Sequence, residues 1–230
     1  MTMDKSGKPY IHALRYSALT GLYDPVVALT TREKTFKRAL LDAAGLESGQ
    51  QVLDVGCGTG TLAIAAMRRV PSLRMHGLDG DPDILERARA KTARSGLEVV
   101  YSEGMSFDLP YPDGRFDRVL SSLFFHHLML EDKLRSFREI HRVTRNGGAL
   151  YVADWGAPQN GLMRLAFFGI QLLDGFETTR PNVQGKLPEL MEQAGFERVR
   201  VIRNIPTLFG TMTIYAAHKG HGQPSPVRDA

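Results

Sequence analysis

One cysteine, Cys57, stands in 230 residues. That excludes an intrachain disulfide and leaves too few thiolates for a cysteine-built zinc or iron–sulfur centre, so no metal site is expected. A chain this poor in cysteine fits a reducing compartment, and the expected location is cytoplasmic. Long apolar runs are missing too. The longest candidate, residues 162–176, is broken by Arg164, Gln171 and Asp174, short of the roughly 20 residues a membrane span needs. The opening nine residues are polar and hold two lysines, without the apolar core of a signal peptide. Charge of one sign is also scarce. Lys+Arg 29 against Asp+Glu 25 leaves +4, with no basic block, so nucleic acid is not an expected partner. There is no internal repeat.

What is present is an ordinary globular composition, 43% hydrophobic and 23% charged, enough for one domain with appendages. Residues 1–45 read as helices, Ile11–Leu22 and Val26–Ala44, parted by Asp24-Pro25. From residue 46 short apolar strands alternate with helices. The strands are Gln51–Val55, Leu73–Leu78, Leu97–Ser102, Phe116–Ser122 and Ala149–Ala153. The helices are Thr61–Val70, Pro82–Ser95 and Glu131–Thr144, the last ending at Asn146-Gly147-Gly148. This alternation predicts an α/β fold whose mostly parallel sheet is covered on both faces. A helix at Lys186–Ala194 then leads to Arg198–Arg203 and Thr211–Ala217. A short loop joins those two segments, which predicts an antiparallel hairpin at the sheet edge. The tail, residues 220–230, is rich in Gly and Pro and predicts disorder.

The chemistry concentrates in Val52-Leu53-Asp54-Val55-Gly56-Cys57-Gly58-Thr59-Gly60. A buried strand runs into three alternating glycines and then a helix. Glycines let the backbone turn and approach a ligand closely, and the helix start offers unpaired N–H groups. A plain strand-to-helix turn needs one glycine, so the spacing favours a binding loop. Asp79 ends the next strand, 19 residues after Gly60. A carboxylate near that position accepts from a ribose diol in Rossmann-like sites. Together the two signals point to a nucleoside cofactor.

These residues resemble motif I of the class I S-adenosylmethionine-dependent methyltransferases. Nicotinamide-binding loops space their glycines differently, with two residues before the third. The resemblance extends through Gly104-Met105-Ser106 and Leu109 to Asp117, through Ser122 to Leu128, through Arg138 to Gly148, and through Leu190 to Phe196. It covers about Leu46 to His218 and is nearest the ubiquinone/menaquinone-biosynthesis-like subgroup, which Tyr16 and Tyr23-Asp24-Pro25 also fit. It implies a Rossmann-like fold with a seven-stranded sheet and S-adenosylmethionine as cofactor. It implies that Asp54 orients the loop and meets the cofactor's amine through water. Gly56, Cys57, Gly58 and Gly60 form the loop, Asp79 holds the ribose, and Gly80 packs on adenine. Ser106 presents its backbone N–H to adenine, and Ser122 touches the methionine end. The family's usual carboxylate for the adenine amino group is replaced by Met105; either Met105 packs on the ring or Asp108 substitutes.

Methyl transfer asks for in-line alignment and for a base only where the acceptor carries a proton. His126 and His127 follow the fourth strand, where a base can act, with His127 preferred; the alternative is a structural histidine bonding a neighbouring loop. Tyr10, Tyr16 and Tyr23 belong either to a packing helix or to a lid over the site. Residues 156–184 are the expected substrate-covering insertion. Phe167, Phe168 and Phe176 there suit a wall for an apolar or aromatic acceptor, a packed or dimer contact, or a membrane-surface contact reaching a lipidic acceptor. The expected reaction is methylation of a small aromatic, quinone-like or lipid-like molecule at oxygen, carbon or nitrogen. A nucleobase-methylating signature is missing, since Ser121-Ser122-Leu123-Phe124 stands in its place. The rival readings are a cofactor-binding regulatory module without chemistry and a nicotinamide-dependent oxidoreductase.

Overall fold

The computed structural model describes residues 32–221. Helix α1 (Glu33–Ala44) leads to β1 (Gln51–Val55), α2 (Thr61–Arg69), β2 (Arg74–Asp79), α3 (Pro82–Arg94) and β3 (Val100–Glu103). Then come β4 (Phe116–Ser122), a single 3-10 turn (Phe125–His127), α4 (Leu130–Val143) and β5 (Thr144–Trp155). The chain closes with α5 (Gly161–Asp174), α6 (Phe176–Val183), α7 (Leu187–Gln193), β6 (Glu197–Pro206) and β7 (Thr211–His218). The strands form one sheet in the order β3-β2-β1-β4-β5-β7-β6. Only β7 runs against its neighbours, pairing antiparallel with both β5 and β6. The mostly parallel α/β sheet expected from the alternation is therefore present, with the seven strands that the resemblance implied.

Alternate residues of each strand feed two cores. Val52, Tyr151 and Trp155 join Phe36, Leu40 and Leu62 on one face. Leu53, Val55, Leu150 and Val152 join Phe125, Phe137 and Leu187 on the other. Burial on both faces is why β1 reads as a continuous apolar run rather than an alternating one. The strand order reverses between β1 and β4, so a crevice opens beyond their carboxyl ends. The Asp81 side chain caps α3, accepting from the amides of Asp83 and Ile84 at 2.9 and 3.2 Å.

Several boundaries differ from expectation for local reasons. Leu97 lies just past the end of α3 and is tied back to it, its N–H donating to Thr92 O at 3.3 Å, so β3 starts later, at Val100. The Gly147-Gly148 pair does not end a helix. It lies inside a 12-residue β5 that follows α4 directly, and Gly147 N–H donates to Lys219 O at 3.0 Å. Two helices, α5 and α6, lie within residues 156–184, the expected insertion. Residues 33–44, the end of the expected helical segment 1–45, form a core helix whose Phe36 and Leu40 are fully buried. The expected helix Ile11–Leu22, Tyr10, Tyr16, Tyr23 and nearly all of the tail lie outside the described residues.

Candidate active site

Each of the three loop glycines has left-handed φ, +68° at Gly56, +52° at Gly58 and +73° at Gly60, but they are required for different reasons. A Cβ on Gly60 would lie 2.2 Å from the Tyr101 hydroxyl, and one on Gly56 would lie 2.2 Å from Phe124 Cδ2. A Cβ on Gly58 would meet nothing within 4 Å. Gly58 is thus the open position of the loop, and Gly60 is glycine to admit Tyr101. The loop is tied down by Leu78 O, which accepts from Gly56 and Cys57 N–H at 2.8 and 3.0 Å. Cys57 packs within the loop. Its side chain is buried, with Sγ 3.0 Å from where a Gly77 Cβ would stand. Burial first, then the Asp54 charge, pushes the thiol's pKa well above its ordinary value.

Beside the loop lies a narrow open cavity lined by Gly56, Leu78, Asp79, Gly80, Gly104, Met105, Ser106, Phe107, Phe124 and Leu128. It gathers five of the expected site residues: Gly56, Asp79, Gly80, Met105 and Ser106. Of the two adenine alternatives, Met105 lines the cavity and Asp108 does not. Asp79 accepts from Gly58 N–H at 2.9 Å on one oxygen and from Asp81 N–H at 3.1 Å on the other. Each oxygen keeps a lone pair for a ribose hydroxyl. Burial raises the Asp79 pKa against these two backbone bonds. The Ser106 hydroxyl is buried against that of Ser136 at 2.7 Å. Ser122 ends β4 opposite Ala153 and stands outside the cavity lining.

Asp54 sits in mid-sheet, 1% exposed, and neither carboxylate oxygen has a hydrogen-bond partner among the described residues. Burial pushes its pKa up to about 7; Lys37 pulls it down and Asp79 adds to the rise. A buried carboxylate with no donor is costly alone and is satisfied by an incoming cation. This fits the ammonium of S-adenosylmethionine, as the open Gly58 fits a backbone-hugging ligand.

Past β4, Leu123 takes a left-handed φ of +53° and the 3-10 turn follows. Its two histidines differ. His126 is buried, its Nδ1 2.8 Å from Asp154 Oδ1. Asp154 also accepts from the Phe124, Phe125 and Trp155 amides at 3.1, 2.7 and 2.7 Å. Burial would raise its pKa, but the His126 interaction and these bonds hold it below the usual carboxylate value. His127 is half-buried, with its ring centroid 3.9 Å from that of His126. Burial, then the His126 charge, keeps its pKa well below 6.5, so its imidazole is neutral near pH 7. Behind them the fully buried Lys133 donates to Leu128 O and, at 2.8 Å, to Thr178 O of α6. Burial lowers its pKa to about 8. This ammonium pins the insertion to the histidine turn.

Comparison with known proteins agrees with this geometry. Residues 52–148 match the family model described as a methyltransferase domain. Over those residues, under half of its length, the chain is similar to methyltransferase domains. It is 33% identical over 132 residues to a demethylmenaquinone methyltransferase of Thermus thermophilus, a match covering 57% of this chain and 59% of that protein. The chain thus spans under two thirds of that relative's length. It is 29% identical over 231 aligned positions to a ubiquinone/menaquinone biosynthesis C-methyltransferase of Methylococcus capsulatus, covering 90% and 89% of the two chains. A solved phosphoethanolamine N-methyltransferase 2 of Haemonchus contortus, in complex with S-adenosylhomocysteine, shares the fold at TM-score 0.64 and 18% identity, covering 81% and 52%. Among the described residues no helix is long and apolar enough to cross a membrane.

Sequence reasoning missed Phe107, Phe124 and Leu128 in the cavity, and Tyr101, Lys133 and Asp154 around it. Asp154 had a signal, an acidic residue inside an otherwise apolar strand. Phe107 had none, since its placement depends on Arg135 lying 4.5 Å over its ring.

Proposed function

We propose that this protein methylates a small, largely apolar acceptor of the reduced-quinone type, using S-adenosylmethionine. The observation that carries the reading is a neutral imidazole, His127, on the same short turn as the cavity residues Phe124 and Leu128. The named quinone-pathway relatives and the apolar insertion support the acceptor class. The cofactor supplies an electrophilic methyl group on a sulfonium, and the chain supplies the rest. Asp54 would hold the amine and Asp79 the ribose hydroxyls, with Met105 and Phe107 against the adenine. His127 would take the proton that an acceptor hydroxyl or ring carbon releases as its bond to the methyl group forms. His126, fixed by Asp154, would orient His127 from behind. Helix α6, pinned through Lys133, would keep water from the acceptor.

The test is a panel of acceptors with methyl-labelled cofactor: a short-tailed reduced demethylmenaquinone, a catechol and phosphoethanolamine. The reading expects label on the naphthoquinol first. Label on phosphoethanolamine alone, or on none with the cofactor bound, contradicts the acceptor class.

A further inference from the structure

A second cavity lies at the other end of the sheet. It holds about 120 Å3, against the roughly 10–15 Å3 that admits one water. Its walls are Gly147 near the start of β5, Glu197 and Arg198 at the start of β6, and residues 218–221 at and past the end of β7. Strands β1, β4 and β5 run parallel, so these are the ends opposite the crevice. The two cavities share no lining residue.

The backbone around this cavity is unusual at two points. Gly147 has φ +73°, and a Cβ there would lie 2.8 Å from His221 Nε2. Glycine thus lets that imidazole lie against the strand. Arg198 has φ +50°, one of three non-glycine residues with a left-handed φ among the described residues. Of the other two, Arg32 stands at the start of α1 and Leu123 leads into the histidine turn. Arg198 instead lies inside a strand, where the β6–β7 register shifts between Glu197 and Arg200. A bulge of this kind re-aims a side chain, and strained residues of this kind gather at ligand clamps.

The charge there is mostly of one sign. Burial first, and then the guanidinium groups of Arg200, Arg118 and Arg198, keep the His218 pKa below its ordinary value. None of these three arginines forms an ion pair among the described residues. Arg118 donates only to the carbonyls of Ala44 and Asp117, at 3.2 and 2.9 Å. Lys219 lines the cavity, but its ammonium donates to the carbonyls of His141 and Thr144 past the end of α4, each at 2.8 Å. One carboxylate, Glu197, is in the lining. It lies against Gly220, where a Cβ would stand 2.6 Å from Oε1, and does not balance three guanidinium groups.

Guanidinium forks and imidazole N–H groups donate, and their complement is an acceptor with negative charge. A planar carboxylate answers one fork. A tetrahedral oxyanion presents oxygens on every side and answers donors from β6, β7 and residues 219–221 together. We propose that this cavity binds a phosphate group, free or as a small monoester, with Arg198 and His218 as its main ligands. The site stands apart from the methyl-transfer reading and does not depend on it.

Titration of the full chain, followed by the His218 C2–H resonance, tests this. The resonance is assigned by its loss in His218→Gln. The probes are inorganic phosphate, glycerol 3-phosphate, citrate, and sodium chloride at matched ionic strength. A saturable shift with phosphate or with glycerol 3-phosphate is expected, its midpoint at least about tenfold higher in Arg198→Gln. Tighter binding of glycerol 3-phosphate assigns the site to a monoester, and tighter binding of phosphate to the free ion. Arg198 is exposed, so its replacement should leave the fold and the affinity for S-adenosylhomocysteine as in the wild type. A shift no larger than chloride produces, equal binding of citrate, or a midpoint that Arg198→Gln does not move overturns the proposal.

Discussion

Replacing Asp54 with Asn should make the ligand-free protein more stable, and more so as pH rises. The wild-type carboxyl is buried and its pKa is pushed from 3.8 to about 7. The folded state therefore holds the Asp54 proton across that window while the unfolded chain has released it. Where the native state binds more protons, stability falls as pH rises. The loss begins near pH 3.8, is complete above pH 7, and is flat beyond. At about 1.36 kcal/mol per pH unit the full loss is about 4 kcal/mol. Asn keeps the shape and, like the protonated acid, remains a neutral buried polar group, so the two proteins should be nearly equal at pH 4. By pH 8 the variant should melt on the order of 10 °C higher, taking 2–4 °C per kcal/mol for a chain this long. The same substitution removes the partner of the cofactor's ammonium. Affinity for S-adenosylhomocysteine should fall about 10- to 150-fold, for a charge-assisted bond of about 1.5–3 kcal/mol. Thermal melts from pH 4 to pH 9 read the first effect and calorimetric titration the second. A Tm gap that is constant with pH, or a variant less stable at pH 8, refutes the account of Asp54 as an unpaired buried acid awaiting a cation.

Other outcomes follow from neighbouring residues. Asp79→Ala should weaken S-adenosylhomocysteine binding by about 10- to 150-fold in calorimetry, because it removes the ribose acceptor and the tether to Gly58 N–H; unchanged affinity in a folded variant contradicts the ribose assignment. His127→Gln should cut turnover about 10²–10⁴-fold with cofactor affinity nearly unchanged. The wild-type rate should lose activity only well below pH 6.5, because the lowered His127 pKa keeps the ring neutral above it, and a variant that keeps the parent pH–rate profile would make His127 structural. Gly60→Ala should destabilise the fold by about 1–3 kcal/mol in urea melts through its clash with the Tyr101 hydroxyl. Adding Tyr101→Phe should recover part of that loss, and a double mutant no better than the single one argues against the clash.

Much of this was legible before any coordinates. The glycine loop, Asp79 and the strand–helix alternation announced the sheet and its crevice because they are local signals, carried by turn residues and apolar runs. The expected helix start at Pro82 is reproduced, with Asp81 as its cap. The remainder depends on contacts distant in sequence. Gly60 reads as a ligand glycine until Tyr101, far along the chain, is seen to need its space. His126 and His127 are indistinguishable in sequence, and only the 28-residue separation closed by Asp154 sets them apart. Helix α5 was hidden because it is apolar on both sides, and α6 because its polar residues and internal Pro181 carry no apolar period.

The claim that the β1–β4 crevice holds S-adenosylmethionine is tested most directly by titrating S-adenosylhomocysteine into the full chain in a calorimeter, beside Gly58→Ala. A Cβ at Gly58 meets no protein atom within 4 Å, so the variant should fold with at most about 1–2 kcal/mol of backbone strain. The methyl group would stand where the ligand must approach. One saturable site per wild-type chain is predicted, with affinity at least about tenfold weaker in the variant. No binding heat in the wild type, or equal affinity in both proteins, would contradict the account.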